Sequence, residues 1–122
     1  MKLQARHQLT FYADLAQFIG DPTPVAFDRL LRVLDILAIA LRVQPLQDFA
    51  VQIHSARRAM SAVVKRLERT GALAVSDLDA VTLRAAAPQI EAAIWRVQLD
   101  TFSFANAIVQ HKLELQGVAL TD

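Results

Sequence analysis

The residues best suited to chemistry in this chain are its three histidines, at positions His7, His54 and His111. Each falls on a different predicted helix, whereas a metal site needs its ligands to converge, usually with a carboxylate. His111 and Glu114 form one His-x-x-Glu pair, reversed from the Glu-x-x-His pairs that di-iron helical bundles use twice. We therefore expect no metal and no cofactor, and we expect His111 at the edge of the core with a hydrogen-bond partner.

Other catalytic patterns are missing from the sequence. The chain has no cysteine and three glycines, which excludes thiol chemistry and a glycine-rich phosphate loop. Asp77 and Asp79 are paired carboxylates, but their position beside Ser76 is typical of a helix N-cap. We predict that the protein is not an enzyme, so a small-molecule or metal-dependent helical enzyme is the least favoured of three classes.

The segment 54–70, HSARRAMSAVVKRLERT, concentrates positive charge. With the apolar residues of this helix turned inward, Arg58, Lys65 and Arg69 should point outward, with Arg57 and Arg66 beside them. The first interpretation is a solvated face of an amphipathic helix. The second is a nucleic-acid-binding track along a phosphate backbone, without base recognition. The third is pairing with the C-terminal half, because residues 71–122 hold three basic and six acidic groups.

Two short stretches resemble known families. His54, Ser55 and Arg57 resemble the phosphorylated region of histidine phosphotransfer domains, but Arg58 stands where that family has glycine. FSFANAIVQHKLELQG (102–117) resembles the last helix of the small helical subunit of multi-subunit CRISPR effectors. His111, Lys112 and Gly117 are the matching positions. This resemblance implies a small, all-helical, non-enzymatic subunit that lies along a nucleic-acid backbone.

Composition predicts a helical domain. The 122 residues are 54% hydrophobic and include only three glycines and four prolines, which favours a few long helices over many turns. The most apolar run, residues 33–43, is too short and too charged to span a bilayer. We expect one domain over residues 1–122, an all-α bundle of four or five helices with heptad-like, shallow-angle packing, no membrane contact and a cytoplasmic location.

Local signals predict the helix boundaries. The first helix covers about 4–19, the second about 24–43 and the third about 45–70. After Ser76, an apolar seam runs from Leu83 to Leu115, and Pro88 should kink that helix or divide it into 77–86 and 88–116. The second helix, apolar around most of its circumference, should lie at the centre. The expected core residues are Leu34, Leu37, Ile53, Met60, Ile94 and Phe104.

The long last helix carries a second apolar stripe, which predicts an interface. A terminal helix at the edge of a small bundle has about one apolar neighbour, so a second stripe should be free to bind another chain. The alternative is that the first helix, with Phe11, Leu15 and Phe18, folds over this stripe and completes a monomeric core. The predicted interface residues are Trp95, Leu99, Phe102, Val109 and Leu113.

Together these features indicate a non-catalytic helical interaction module or subunit of a larger assembly, bound to a protein partner or to further copies of itself. The alternative is a sequence-independent nucleic-acid-backbone-binding small subunit that uses Arg57, Arg58, Lys65, Arg66 and Arg69.

Overall fold

The computed structural model describes the backbone of residues 3–115, and the side chains of residues 10–46 and 49–115. Within that range the chain folds as five α-helices and has no strand, which confirms the all-α bundle. The helices are α1 (Leu3–Gly20), α2 (Pro24–Val43), α3 (Gln47–Thr70), α4 (Asp77–Arg96) and α5 (Leu99–Leu115).

Three of the helix ends follow from residues next to them. The Thr23 hydroxyl accepts a hydrogen bond of 3.1 Å from the backbone N–H three residues on, and Pro24 fills the first turn. Gly71 ends α3 with a φ of 75°, in the left-handed region that glycine enters without strain. Ser76 and Asp79 bond each other's backbone N–H groups as a capping box. These predicted ends are confirmed.

Helix α2 is the centre of the fold, as predicted, because it contacts each of the other four helices. Its buried positions lie on about half of its circumference, and half-buried apolar residues lie on much of the rest. Arg32 and Asp35 mark the partly exposed strip, and the Arg32 guanidinium donates a bond of 3.2 Å to Asn106 on α5. The buried residues are Ala26, Leu30, Val33, Leu34, Ile36, Leu37 and Ala40.

Helix α3 packs chiefly on α4 and also on α2. The middle of its predicted seam is buried, whereas Leu46 and Phe49 are half-buried and Leu67 is exposed near the C-terminal end. The spacing therefore predicted the inward face correctly, although the seam is buried only over about three central turns. The buried seam residues are Ile53, Ala56, Met60 and Val63.

The predicted division at Pro88 is wrong. Helix α4 continues through Pro88 to Arg96, and the break comes at Val97 and Gln98. Pro88 lies on the exposed side of α4, so its ring displaces no core side chain. Val97 has an extended backbone. The first helical hydrogen bond of α5 follows at once, because the carbonyl of Gln98 accepts from the N–H of Phe102.

This break rotates the apolar face of α5 relative to the predicted continuous seam. Phe104, predicted to be in the core, is 54% exposed, and Phe102 is fully buried instead. The seam of α5 consists of Phe102, Ala105 and Val109, with Leu113 partly buried against it. The other five expected core residues are confirmed: Leu34, Leu37, Ile53, Met60 and Ile94.

In the described part of the chain, none of the helices is long and apolar enough to cross a membrane.

Candidate functional site

The two basic residues on the flanks of α3 are engaged within the chain. Arg57 donates a hydrogen bond of 3.2 Å to Asp35 on α2, and both side chains are partly exposed. Arg66 forms an ion pair of 3.0 Å with Asp79, whose carboxylate is buried and also belongs to the capping box of α4. Arg66 also donates to the Ala74 carbonyl at 2.9 Å, so it anchors the loop between α3 and α4.

The outward side of α3 retains three cations. Arg58, Lys65 and Arg69 are exposed, and Arg58 donates a hydrogen bond to Ser55 one turn earlier. The five predicted nucleic-acid-binding residues therefore divide into an exposed set of three and a pair held by Asp35 and Asp79. The pairing of Arg66 with Asp79 corresponds to the third interpretation of the basic segment.

Arg57 also lines a cleft of about 170 Å³ between α2 and α5. Asp35 lies in this cleft with Arg42 and Lys112. Burial raises the pKa of Asp35 above its usual value, although the neighbouring Arg57 guanidinium and Lys112 ammonium act in the opposite direction. Desolvation therefore raises the pKa of Asp35 by more than the neighbouring cations lower it. Such desolvation is expected of a carboxylate that is packed between helices.

The predicted interface stripe does not form one surface. Phe102 and Val109 are buried and Leu113 is half-buried, chiefly because α5 packs on α2. They belong to the core of this chain, so they are not available to a partner, and the expectation fails for them. Helix α1 packs mainly on α2 and α4 and contacts α5 only slightly. The alternative expectation, that α1 folds over this stripe of α5, is therefore not met either. Trp95 and Leu99 remain exposed at 52% and 41%.

A different apolar surface lies on α4, and we refer to its residues as the α4 stripe. Its members alternate spacings of three and four, while the opposite side of α4 buries Leu83 and Ile90 in the core. The three large members are Leu78, Val81 and Trp95, exposed at 74%, 61% and 52%. The stripe was not predicted, because the seam that begins at Leu83 explained the apolar residues of the same helix, although the spacing of three and four is present in the sequence. The α4 stripe consists of Leu78, Val81, Ala85, Pro88, Ala92 and Trp95.

A groove between α1 and α4 borders the α4 stripe. It is lined by apolar residues of α1 together with Tyr12 and Arg84. The Tyr12 hydroxyl hydrogen-bonds the Glu91 carboxylate, and this bond, with burial and the negative charge of Glu91, raises the pKa of Tyr12. Arg84 and Glu91 therefore lie on the α1 side of the stripe, one residue before Ala85 and Ala92 respectively.

The histidines do not converge where the structure describes them. His54 on α3 and His111 on α5 are both exposed, so the expected core-edge position of His111 is wrong. Among the described side chains, no group of three metal-ligating residues comes together. The side chain of His7 and residue Gly117 of the C-terminal resemblance lie outside the described residues.

Comparison of the chain with protein-family models, with curated proteins and with solved structures gave no match.

Proposed function

We propose that this protein is a non-catalytic helical interaction module, or a subunit of a larger assembly, that docks its partner on the α4 stripe. One observation carries the proposal. The α4 stripe places three large apolar side chains, each more than half exposed, along one face of a helix whose opposite face is core. Isolated exposed apolar residues are common on proteins, but a continuous row at helical spacing is typical of an interface.

The chemistry of the α4 stripe suits a partner helix or an apolar ridge. Trp95 at one end offers the large aromatic surface that anchors many interfaces, and Leu99 at the start of α5 extends it. Small residues, Ala85 and Pro88, occupy the middle of the stripe and leave room for a neighbouring backbone to approach closely. Charged residues border it, as the rim of an interface requires.

A photo-reactive amino acid placed at Val81 tests this proposal. Val51 is a matched control, because each is an exposed valine, 61% and 65%, at the fifth residue of its helix. In the native cell we expect a discrete cross-linked product from position 81 and none from position 51. Equal cross-linking from the two positions, or none from position 81, would contradict the proposal.

The alternative is a nucleic-acid-backbone-binding small subunit. It rests on Arg58, Lys65 and Arg69, because Arg57 and Arg66 are held by carboxylates of this chain. Three exposed cations along one helix face are fewer contacts than nucleic-acid-binding surfaces usually make. We therefore place this function second.

A further inference from the structure

We propose that the cleft between α2 and α5 binds a small organic oxyanion, a carboxylate or a phosphate ester carried on an apolar body about the size of one ring. None of the residues that line this cleft belongs to α4, so the site is separate from the α4 stripe and independent of the proposed function. The volume of the cleft, its apolar walls and its excess of positive charge point to this class of ligand.

The cleft has room for one ring-sized group. On α2 its lining residues share one face from Asp35 to Arg42, which is about 10 Å of helix. Val109, Lys112 and Leu113 of α5 form the other side. The volume is about 170 Å³, and an apolar cavity of about 150 Å³ is enough to hold benzene.

The walls of the cleft are mainly apolar. Ala38 and Ile39 of α2 are half-buried against the core, while on α5 Val109 is buried and Leu113 is half-buried. These aliphatic side chains suit the hydrocarbon part of a ligand. Ligand sites typically combine such walls with a few charged or polar groups, which fix the orientation of the ligand.

The charged residues that line the cleft are three cations and one carboxylate. Arg57 donates to Asp35 at 3.2 Å, so these two charges largely neutralise each other. Arg42 and Lys112 are exposed, and among the described side chains neither forms an ion pair. The Lys112 ammonium is near enough to Asp35 to act on its pKa, so this charge lies close to the cleft. Two positive charges therefore remain for a ligand, and their sign selects an anion.

The groove between α1 and α4 differs in this respect. It is larger, about 300 Å³, but among the described residues that line it Arg84 alone carries a charge, and Tyr12 in its wall is hydrogen-bonded to the Glu91 carboxylate. The negative charge of Glu91 opposes that of Arg84, so the groove has no comparable preference for anions. Anion selectivity is therefore expected at the α2–α5 cleft, and the α1–α4 groove is an internal reference in the same molecule.

Titration of the isotope-labelled full chain with benzoate, followed through its amide chemical shifts, tests the site. Phenyl phosphate carries the phosphate form of the oxyanion on the same ring, and benzyl alcohol is the neutral control of similar size. We expect saturable shifts in residues 35–42 and 109–113, with a benzoate Kd on the order of 1 mM, as suits a ligand of so few atoms. Benzyl alcohol should bind there about tenfold more weakly. Tighter binding of one of the two anions would identify the headgroup that the site prefers.

Substitutions of the charged residues should give effects of opposite sign. Lys112→Gln should weaken benzoate binding about fivefold, because it removes one of the two unpaired cations. Asp35→Asn should tighten it about fivefold, because it removes the carboxylate of the cleft and releases Arg57. Lys65→Gln is the control, since Lys65 is an exposed lysine on α3 outside the cleft, and it should leave binding unchanged.

A damaged fold would weaken binding, so tighter binding by Asp35→Asn separates an effect of charge from an effect of structure. If that variant does not fold, Arg42→Gln takes its place, and it should weaken benzoate binding as Lys112→Gln does. The proposal is overturned if neither anion shifts the cleft residues at about 10 mM, or if benzyl alcohol binds there equally well. Equal weakening by Asp35→Asn and Lys112→Gln, or unchanged binding in both cation variants, would also overturn it.

Discussion

The side-chain oxygen of Gln44 accepts a hydrogen bond of 2.8 Å from the backbone N–H of Gln98, 54 residues further along the chain. The side-chain amide of Gln44 also donates a bond of 3.4 Å to the carbonyl of Arg96. One side chain at the end of α2 thus satisfies a C-terminal carbonyl of α4 and an N-terminal N–H of α5. Such groups have no partner within their own helices, so Gln44 stabilises the break between them.

Removal of this bridge should weaken the α4–α5 junction. We expect Gln44→Ala to lower the free energy of unfolding by about 1 kcal/mol, the usual effect of losing a helix cap, measured by urea denaturation. The amide of Gln98 should also exchange faster with deuterium. Gln110→Ala is the control, because Gln110 bonds only an exposed glutamate on its own helix, and it should cost less than about 0.5 kcal/mol. Equal losses would contradict the role of Gln44.

The phase of α5 predicts opposite results for two phenylalanines on the same helix. Phe102→Ala should destabilise the protein by about 3–5 kcal/mol, because it opens a cavity in the core. Phe104→Ala should cost less than about 0.5 kcal/mol, because the Phe104 ring is more than half exposed. Chemical denaturation of both variants provides the measurement. If Phe104→Ala were the more damaging change, the helical seam would continue across Gln98.

The helix ends that the sequence could predict differ in their cause from the α4–α5 junction, which it could not predict. The ends at Thr23, Gly71 and Ser76 have local causes, so they were predictable from neighbouring residues. The α4–α5 break has neither glycine nor proline, and its stabilising partner, Gln44, is distant in sequence. Pro88 gave a local signal for a break, but α4 continues through it.

The candidate site was predictable to a similar degree. Outward positions on α3 followed from the helical period, but the carboxylates that hold Arg57 and Arg66 come from other helices. The predicted interface on α5 was wrong at Phe102 because the unpredicted break changed the phase. Trp95 precedes the break and is exposed, as an interface residue must be, and its role in an interface stays a prediction.

The buried ion pair of Asp79 and Arg66 predicts a large effect of removing one partner. Asp79→Ala removes half of the capping box and leaves the partly buried Arg66 guanidinium without its carboxylate, so we expect a loss of roughly 2–3 kcal/mol. Asp77→Ala, an exposed change in the same first turn, should cost less than about 1 kcal/mol. Thermal and urea unfolding of both variants measure the difference. Similar losses for the two would show that the first-turn charge, rather than the ion pair, matters.

Asp35 predicts a pH dependence. Because burial raises its pKa in the folded state, the folded chain binds this proton more tightly than the unfolded chain does. The stability that protonation contributes is therefore present below the unfolded pKa and lost as pH rises through the folded pKa. We expect the free energy of unfolding of the original chain, minus that of Asp35→Asn, to increase as pH falls from neutral through that range. A decrease would mean that Arg57 dominates and lowers the pKa instead.

The exposed cations of α3 predict the strength of any nucleic-acid binding. If Arg58, Lys65 and Arg69 each contact one phosphate, the logarithm of the binding constant for mixed-sequence DNA should fall with the logarithm of salt concentration at a slope of about −2.7. The double reversal Arg58→Glu with Lys65→Glu should then abolish binding on every sequence, because phosphate contacts carry no base information. Arg57→Gln is the control and should leave the slope unchanged, since Asp35 already holds that guanidinium. Absence of binding at low salt would eliminate the alternative function.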